Sequence, residues 1–197
     1  MRRLRSLAKR LVREDLPYNL RDQEGLAWEA RSHEATRLLR EVAGEFLPGS
    51  IRFADIGCGN QRLRGALETE FGTSRIAYQG FDVHPQGSDV IMLDLRKTPP
   101  PGEWDVVATL GVLEYIDDQG ATLTRLASVA PWYVVSHVVS DSGLGREADR
   151  VRYGWTRLPS VKQQSDDLMS AGFSVAGQRL LDGGRTCLWI CRSNRHA

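Results

Sequence analysis

Apolar positions along the chain change period several times, and each change marks an element. In LAWEARSHEATRLLREVAGEFLPG, Leu38, Leu39, Val42 and Phe46 recur at helical spacing until Pro48 and Gly49 stop the run. IRFADI is then a short apolar strand, and after the glycines QRLRGALETEF places Leu63, Ala66, Leu67 and Phe71 on one helical side. RIAYQGFD, DVIMLD, WDVVATLGVL and PWYVVSHVV read as four more strands, with TLTRLASVA helical between the last two. Strands alternating with helices need crossover connections, which are right-handed and give a parallel sheet covered on both faces.

Near the C-terminus the rhythm changes. LPSVKQQSDDLMSAG is a helix with glycine at its stop, FSVAGQRLL is a strand, and DGGR is a tight turn into TCLWICR. Two strands joined by so short a turn run antiparallel. The fold class expected is therefore α/β, a doubly wound, mostly parallel seven-stranded sheet ending in an antiparallel hairpin.

The 197 residues fit one domain with a real core, placed at 25–197 behind a basic amphipathic arm and polar lead-in at 1–24. A formal net charge of +1 gives no strong basic field, which argues against nucleic acid as a partner. The arm sets Arg2, Arg3, Arg5, Lys9, Arg10 and Arg13 against Glu14, with Leu4, Leu7, Leu11 and Val12 at helical spacing. It either docks on an anionic membrane surface or acidic partner, or is a solvated arm whose leucines pack on the domain; the second reading is preferred. With no apolar run of about 20 residues and no signal-peptide pattern, a cytoplasmic location is expected. Cys58, Cys187 and Cys191 lack C-x-x-C spacing, so neither a disulfide framework nor a structural zinc site is expected, only reduced and mostly buried thiols.

Candidate chemistry concentrates at strand ends, where ligands sit in open parallel sheets. Gly57 and Gly59 in FADIGCGNQRLR allow a sharp turn and close backbone approach, and the next helix offers free N–H groups. A dinucleotide site would want G-x-G-x-x-G, but Arg62 fills the last position, which weakens a nicotinamide-cofactor reading. Asp55, two residues ahead of the first glycine, suits a positive group. Asp82 at the second strand end suits a ribose diol, and Asp94 at the third an exocyclic amine. Three such acids match a nucleoside with a cationic tail.

On FADIGCGN, FDVHP, VIMLDL and WDVVATLGVLEYIDD, the chain resembles a class I S-adenosylmethionine-dependent methyltransferase over roughly residues 25 to 193. The resemblance implies that Asp55, Gly57 and Gly59 line the methionine part of the cofactor and that Asp82, with Val83 beside it, holds the ribose. It also implies that Asp94 and the Leu95 backbone hold adenine, while Leu110 and Gly111 pass beneath. Gln61 stands where the family often has a third glycine, a change that narrows the turn and adds a side chain to it.

In-line methyl transfer needs an acceptor held on the far side of the methyl and, for a hydroxyl, removal of a proton. LGVLEY after strand four replaces the Asn/Asp-Pro-Pro-Tyr type motif of the amide and amine N-methylating subgroup, which argues against DNA or glutamine as acceptor. His137 is the candidate general base if it faces the cleft, the alternative being a histidine hydrogen-bonded near the sheet's end. Glu114 and Tyr115 shape the acceptor pocket, and His84 has a turn role. Tyr153 and Trp155, among Arg146, Arg150, Arg152 and Arg157 in a long connection, fit an acceptor bearing sugar rings, carboxylate or phosphate, unless Trp155 is tucked onto the domain. Tyr18 and Trp28 would close the pocket from the N-terminal side, although Trp28 suits a helix core equally well. With little beyond the core fold, a small-molecule or sugar-containing acceptor and O-methylation are expected, with no metal. The alternative is a non-catalytic cofactor-binding regulatory or partner-binding module.

Overall fold

Residues whose apolar positions recur every three or four places pack as helices against strands whose apolar runs are unbroken. The computed structural model describes residues 25–141 and 147–196, so the arm at 1–24, Tyr18 and Arg146 lie outside the described residues. The chain runs α1 (Gly25–Ala43), β1 (Ile51–Ile56), α2 (Arg62–Phe71), β2 (Ile76–Asp82), β3 (Val90–Met92), β4 (Val106–Leu110) and α3 (Gln119–Leu126). It continues with β5 (Trp132–Val138), α4 (Glu147–Tyr153), α5 (Val161–Ser170), β6 (Phe173–Leu181) and β7 (Thr186–Ser193).

These strands form one seven-stranded sheet in the order β3-β2-β1-β4-β5-β7-β6. β1 to β5 are mutually parallel, and β7 runs antiparallel to both β5 and β6. The order reverses between β1 and β4, the switch point where such sheets bind ligands. Every residue of β4 and β5 is buried, which is why both are apolar apart from Thr109, Ser136 and His137.

Two core layers flank the sheet. On one face α1 and α2 bring Leu38, Leu39, Leu63 and Leu67 against Phe53, Val134 and Ile190. On the other, α3 and α5 bring Leu123, Leu126 and Leu168 against Tyr133, Val135 and Trp189. The four residues assigned to the inner side of α2 are its buried ones. Phe46 departs from the expected helical stripe: α1 ends at Ala43, the phase is lost, and the ring is 66% exposed, tilted against Trp132 at 6.1 Å. The long connection after β5 also differs from expectation, since it contains α4. Ser160 then starts α5 with a reciprocal capping box to Gln163. The three cysteines are free and buried. Among the described residues no helix is long and apolar enough to cross a membrane.

Leu67 is fully buried between α2 and the sheet. Leu67→Ala is expected to lower the unfolding free energy by about 2–5 kcal/mol in urea titration, and a loss below about 1 kcal/mol would contradict this packing.

Candidate functional site

The chain must reverse between Ile56 and Arg62, and three left-handed residues do it: Gly57 (φ 73°), Gly59 (φ 50°) and Gln61 (φ 61°). A Cβ on Gly57 would lie 2.3 Å from Val112 Cγ2, so the turn after β1 and the chain after β4 touch only because that side chain is missing. At Gly59 a Cβ would meet nothing within 4 Å, so space lies open in front of the turn. Gln61 occupies a conformation that costs a non-glycine residue about 1–2 kcal/mol. Its Nε2 donates to both carboxylate oxygens of Asp89 at 3.0 Å, which offsets part of that cost and ties the turn to the β2–β3 connection.

Asp82 closes β2 and is buried, with Oδ2 accepting from the Gly59 N–H at 3.0 Å and Oδ1 from the His84 N–H at 2.9 Å. Each carboxylate oxygen has about two acceptor sites, so each keeps one to offer. Asp55 is also buried and takes the Tyr78 hydroxyl at 2.7 Å. Burial pushes its carboxyl up to about 7; the Tyr78 bond opposes the shift and the Asp82 charge adds to it. Asp94 is occupied instead: Arg96 Nε and Nη2 reach its two oxygens at 2.8 and 3.0 Å, holding it down to about 2. An amine arriving at Asp94 must share it with that guanidinium.

The remaining cofactor-side candidates surround these acids. The Phe81 carbonyl accepts from Gly57 and Cys58 N–H at 2.7 and 3.1 Å, and the Asp82 carbonyl accepts from Leu93 N–H at 2.9 Å. Leu95 and Leu110 are buried, whereas Val83 is 38% exposed beside Asp82. Gly111 (φ 67°) lies under α1, where a Cβ would sit 2.3 Å from Trp28 Cη2. The structure thus brings Asp55, Gly57, Gly59, Asp82 and Val83 to one place, with Gly111 joined to it through Val112.

The acceptor-side candidates are not gathered in the same way. His137 is 0% exposed and does not face an open cleft, because strand alternation puts it on the side shared by Tyr133 and Val135, beneath α3. Its Nδ1 donates to the Val138 carbonyl at 2.7 Å, and its Nε2 accepts from Gln119 at 3.2 Å, roles assigned from the network. Glu114 is buried with Oε1 accepting from the Val138 N–H at 3.0 Å, and Tyr115 is 37% exposed. Trp155 is 8% exposed, stacked on Tyr153 at 5.1 Å, which is the tucked alternative. A surface hollow lined by Arg52, Pro100, Trp104 and His196 lies elsewhere and gathers none of these groups.

No protein-family model matches the chain, and no curated protein matches it by sequence. Solved structures do match. The magnesium protoporphyrin IX methyltransferase of Synechocystis PCC 6803, with bound S-adenosylhomocysteine, is 18% identical with a TM-score of 0.63, covering 95% of this chain and 94% of that one. The mitomycin 7-O-methyltransferase is 18% identical with a TM-score of 0.63, covering 93% of this chain and 60% of that one. The chain has the class I methyltransferase fold. The [4+2]-cyclase SpnF, 15% identical with a TM-score of 0.63 over 82% of this chain and 81% of that one, shows that a neighbour of this fold is named for another reaction.

Within this fold, two contacts were missed by sequence reasoning. Tyr78 pairs with Asp55 across adjacent strands, and the signal available was only a tyrosine inside an apolar strand. Arg31 stacks on Trp28 at 4.1 Å, and their i,i+3 spacing on a helix was legible.

Asp55 makes a signed prediction. Its folded carboxyl titrates near pH 7 and an unfolded one near 4, so its stabilising contribution is complete below about pH 4 and is lost as pH rises to about 7. The loss is at most about 1.4 kcal/mol per pH unit. Asp55→Asn is expected to remove that slope from unfolding free energies measured between pH 5 and 7; an unchanged slope would assign it to other groups.

Proposed function

We propose that this chain binds S-adenosylmethionine at the carboxyl ends of β1, β2 and β3 and transfers its methyl group to a small-molecule acceptor, by O-methylation. One observation carries the reading: Asp82 is fixed by two backbone N–H groups with acceptor capacity left on both oxygens, beside open space at Gly59. That arrangement fits a ribose diol with the rest of the nucleoside passing the turn.

The other residues fit the cofactor in part. Asp55 would face the cationic amino-acid end, whose charge favours the ionised carboxylate. Exposed Val83 gives adenine an apolar surface, and the Leu95 backbone lies at the same edge. Asp94 would contribute to adenine only by sharing its Arg96 pair. When bound, the cofactor supplies an electrophilic methyl on a sulfonium. The acceptor oxygen would gain that methyl and lose its proton as the carbon–sulfur bond breaks and the sulfonium leaves as a neutral thioether. His137, with both ring nitrogens engaged and no exposed surface, supports the end of β5 in this reading, and the proton leaves to solvent from an acceptor hydroxyl acidic enough to release it. The alternative, a non-catalytic cofactor-binding module, would be excluded by turnover of any acceptor.

Asp82→Ala would cut the cofactor site and the turn together, since it also removes the partner of Gly59 and His84. Gly59→Asn separates the two effects: asparagine tolerates a left-handed φ, and its first side-chain atom meets open space. Calorimetric titration with S-adenosylhomocysteine is expected to show saturable binding to the natural chain, at least tenfold weaker in Gly59→Asn, with thermal midpoints within a few degrees. Absence of binding to the natural chain would sink the proposal.

A further inference from the structure

Arg31 and Ser136 carry hydrogen-bonding capacity that the fold does not use. Arg31 is 8% exposed and projects from α1 onto the chain leaving β4, where a Cβ on Gly111 would lie 3.5 Å from its Nη1. Its guanidinium stacks on Trp28 at 4.1 Å, and Nη2 donates to Asp182 Oδ2 at 3.1 Å and Thr186 Oγ1 at 3.2 Å. Among the described residues its Nε has no hydrogen-bond partner. Ser136 is 0% exposed, its carbonyl takes the Gly111 N–H at 3.4 Å, and its Oγ likewise has no partner among the described residues. Alternation from Val134, which packs in the α1 layer, puts Ser136 on the same side of the sheet as Arg31.

The residues that carry these two groups flank Gly111, and a buried polar group left unmatched is costly. The charge arithmetic points the same way. Arg52 pairs with Glu103 and Asp105, and Arg179 with Glu34 and Glu41, although their side chains are 46% and 32% exposed. Arg31, at 9%, pairs among the described residues with Asp182. A largely buried guanidinium with an unspent N–H beside an indole suits a planar carboxylate. The place is also right: Val112 packs on the glycine turn, and Gly111, the residue before it, packs on Trp28 and Arg31.

We propose that Arg31 and Ser136, with Trp28 as the apolar wall, form the acceptor subsite, and that it takes a small aromatic or planar acceptor bearing a carboxylate near the methylated oxygen. This rests on the methyltransferase reading for the word acceptor. The carboxylate takes the Arg31 Nε–H and the Ser136 hydroxyl, while Nη2 stays on Asp182. Selectivity among acceptors then resides in α1 and the end of β5, and not in the connection that carries Tyr153 and Trp155.

Benzoate and its neutral isostere benzamide test this on the full chain saturated with S-adenosylhomocysteine, read by saturation-transfer NMR. Benzoate is expected to bind at least tenfold more tightly than benzamide, and Arg31→Met to abolish the difference. Ser136→Ala guards against a folding artefact. Its hydroxyl has no partner in the free protein, so the variant keeps the thermal midpoint and weakens benzoate severalfold. Equal binding of the two probes, or benzoate binding unchanged in both variants, overturns the proposal. Failure of S-adenosylhomocysteine to bind appears in its own titration and overturns the methyltransferase reading instead.

Discussion

The Asp82 carboxylate is the constraint on which the rest of the site depends. A buried carboxylate is costly unless it is hydrogen-bonded, and here two backbone N–H groups from different segments meet that cost. One of them belongs to Gly59, so the acid at the end of β2 fixes the turn that follows β1. The Phe81 carbonyl adds two more bonds to the same turn. With the turn fixed, Gly57 can press against Val112, and the loop after β4 is placed by contact and not by its own hydrogen bonds alone. Gly111 then comes under α1. One carboxylate thereby sets the relative position of four segments distant in sequence.

Legibility of the fold followed from local physics. The buried side of α2 and the antiparallel hairpin came from period and turn length, because both are determined within a few residues. Phe46 was misplaced because helical phase is meaningless beyond Ala43, and Gly44 and Pro48 mark the end only to within a turn. The position of Gln61 was legible as a glycine site, but not the Asp89 contact that accompanies a side chain there. His137 shows the limit most clearly. A strand-end histidine faces one side or the other according to register, and a shift of one residue exchanges core for cleft. Its network with Gln119 and Val138 joins residues that no local pattern connects.

The two halves of the site differ in readiness. The side built from β1 and β2 is preformed, with a turn tied to Asp82, an acid with spare acceptors and open space at Gly59. Asp94, just beyond β3, is held by Arg96, so a ligand arriving there would have to share the carboxylate with that guanidinium. On the opposite side α1 covers the end of β4 with an indole and a guanidinium. Neighbours named for reactions as unlike as porphyrin methylation and a [4+2] cyclisation share this architecture.

The most direct test of this account is a crystal structure of the chain with S-adenosylhomocysteine. Both ribose hydroxyls are expected within hydrogen-bond distance of the Asp82 carboxylate, while Asp82 still accepts from the Gly59 N–H. A nucleoside seated elsewhere, for example in the hollow by Arg52 and Trp104, or an Asp82 carboxylate untouched by ligand, would contradict it.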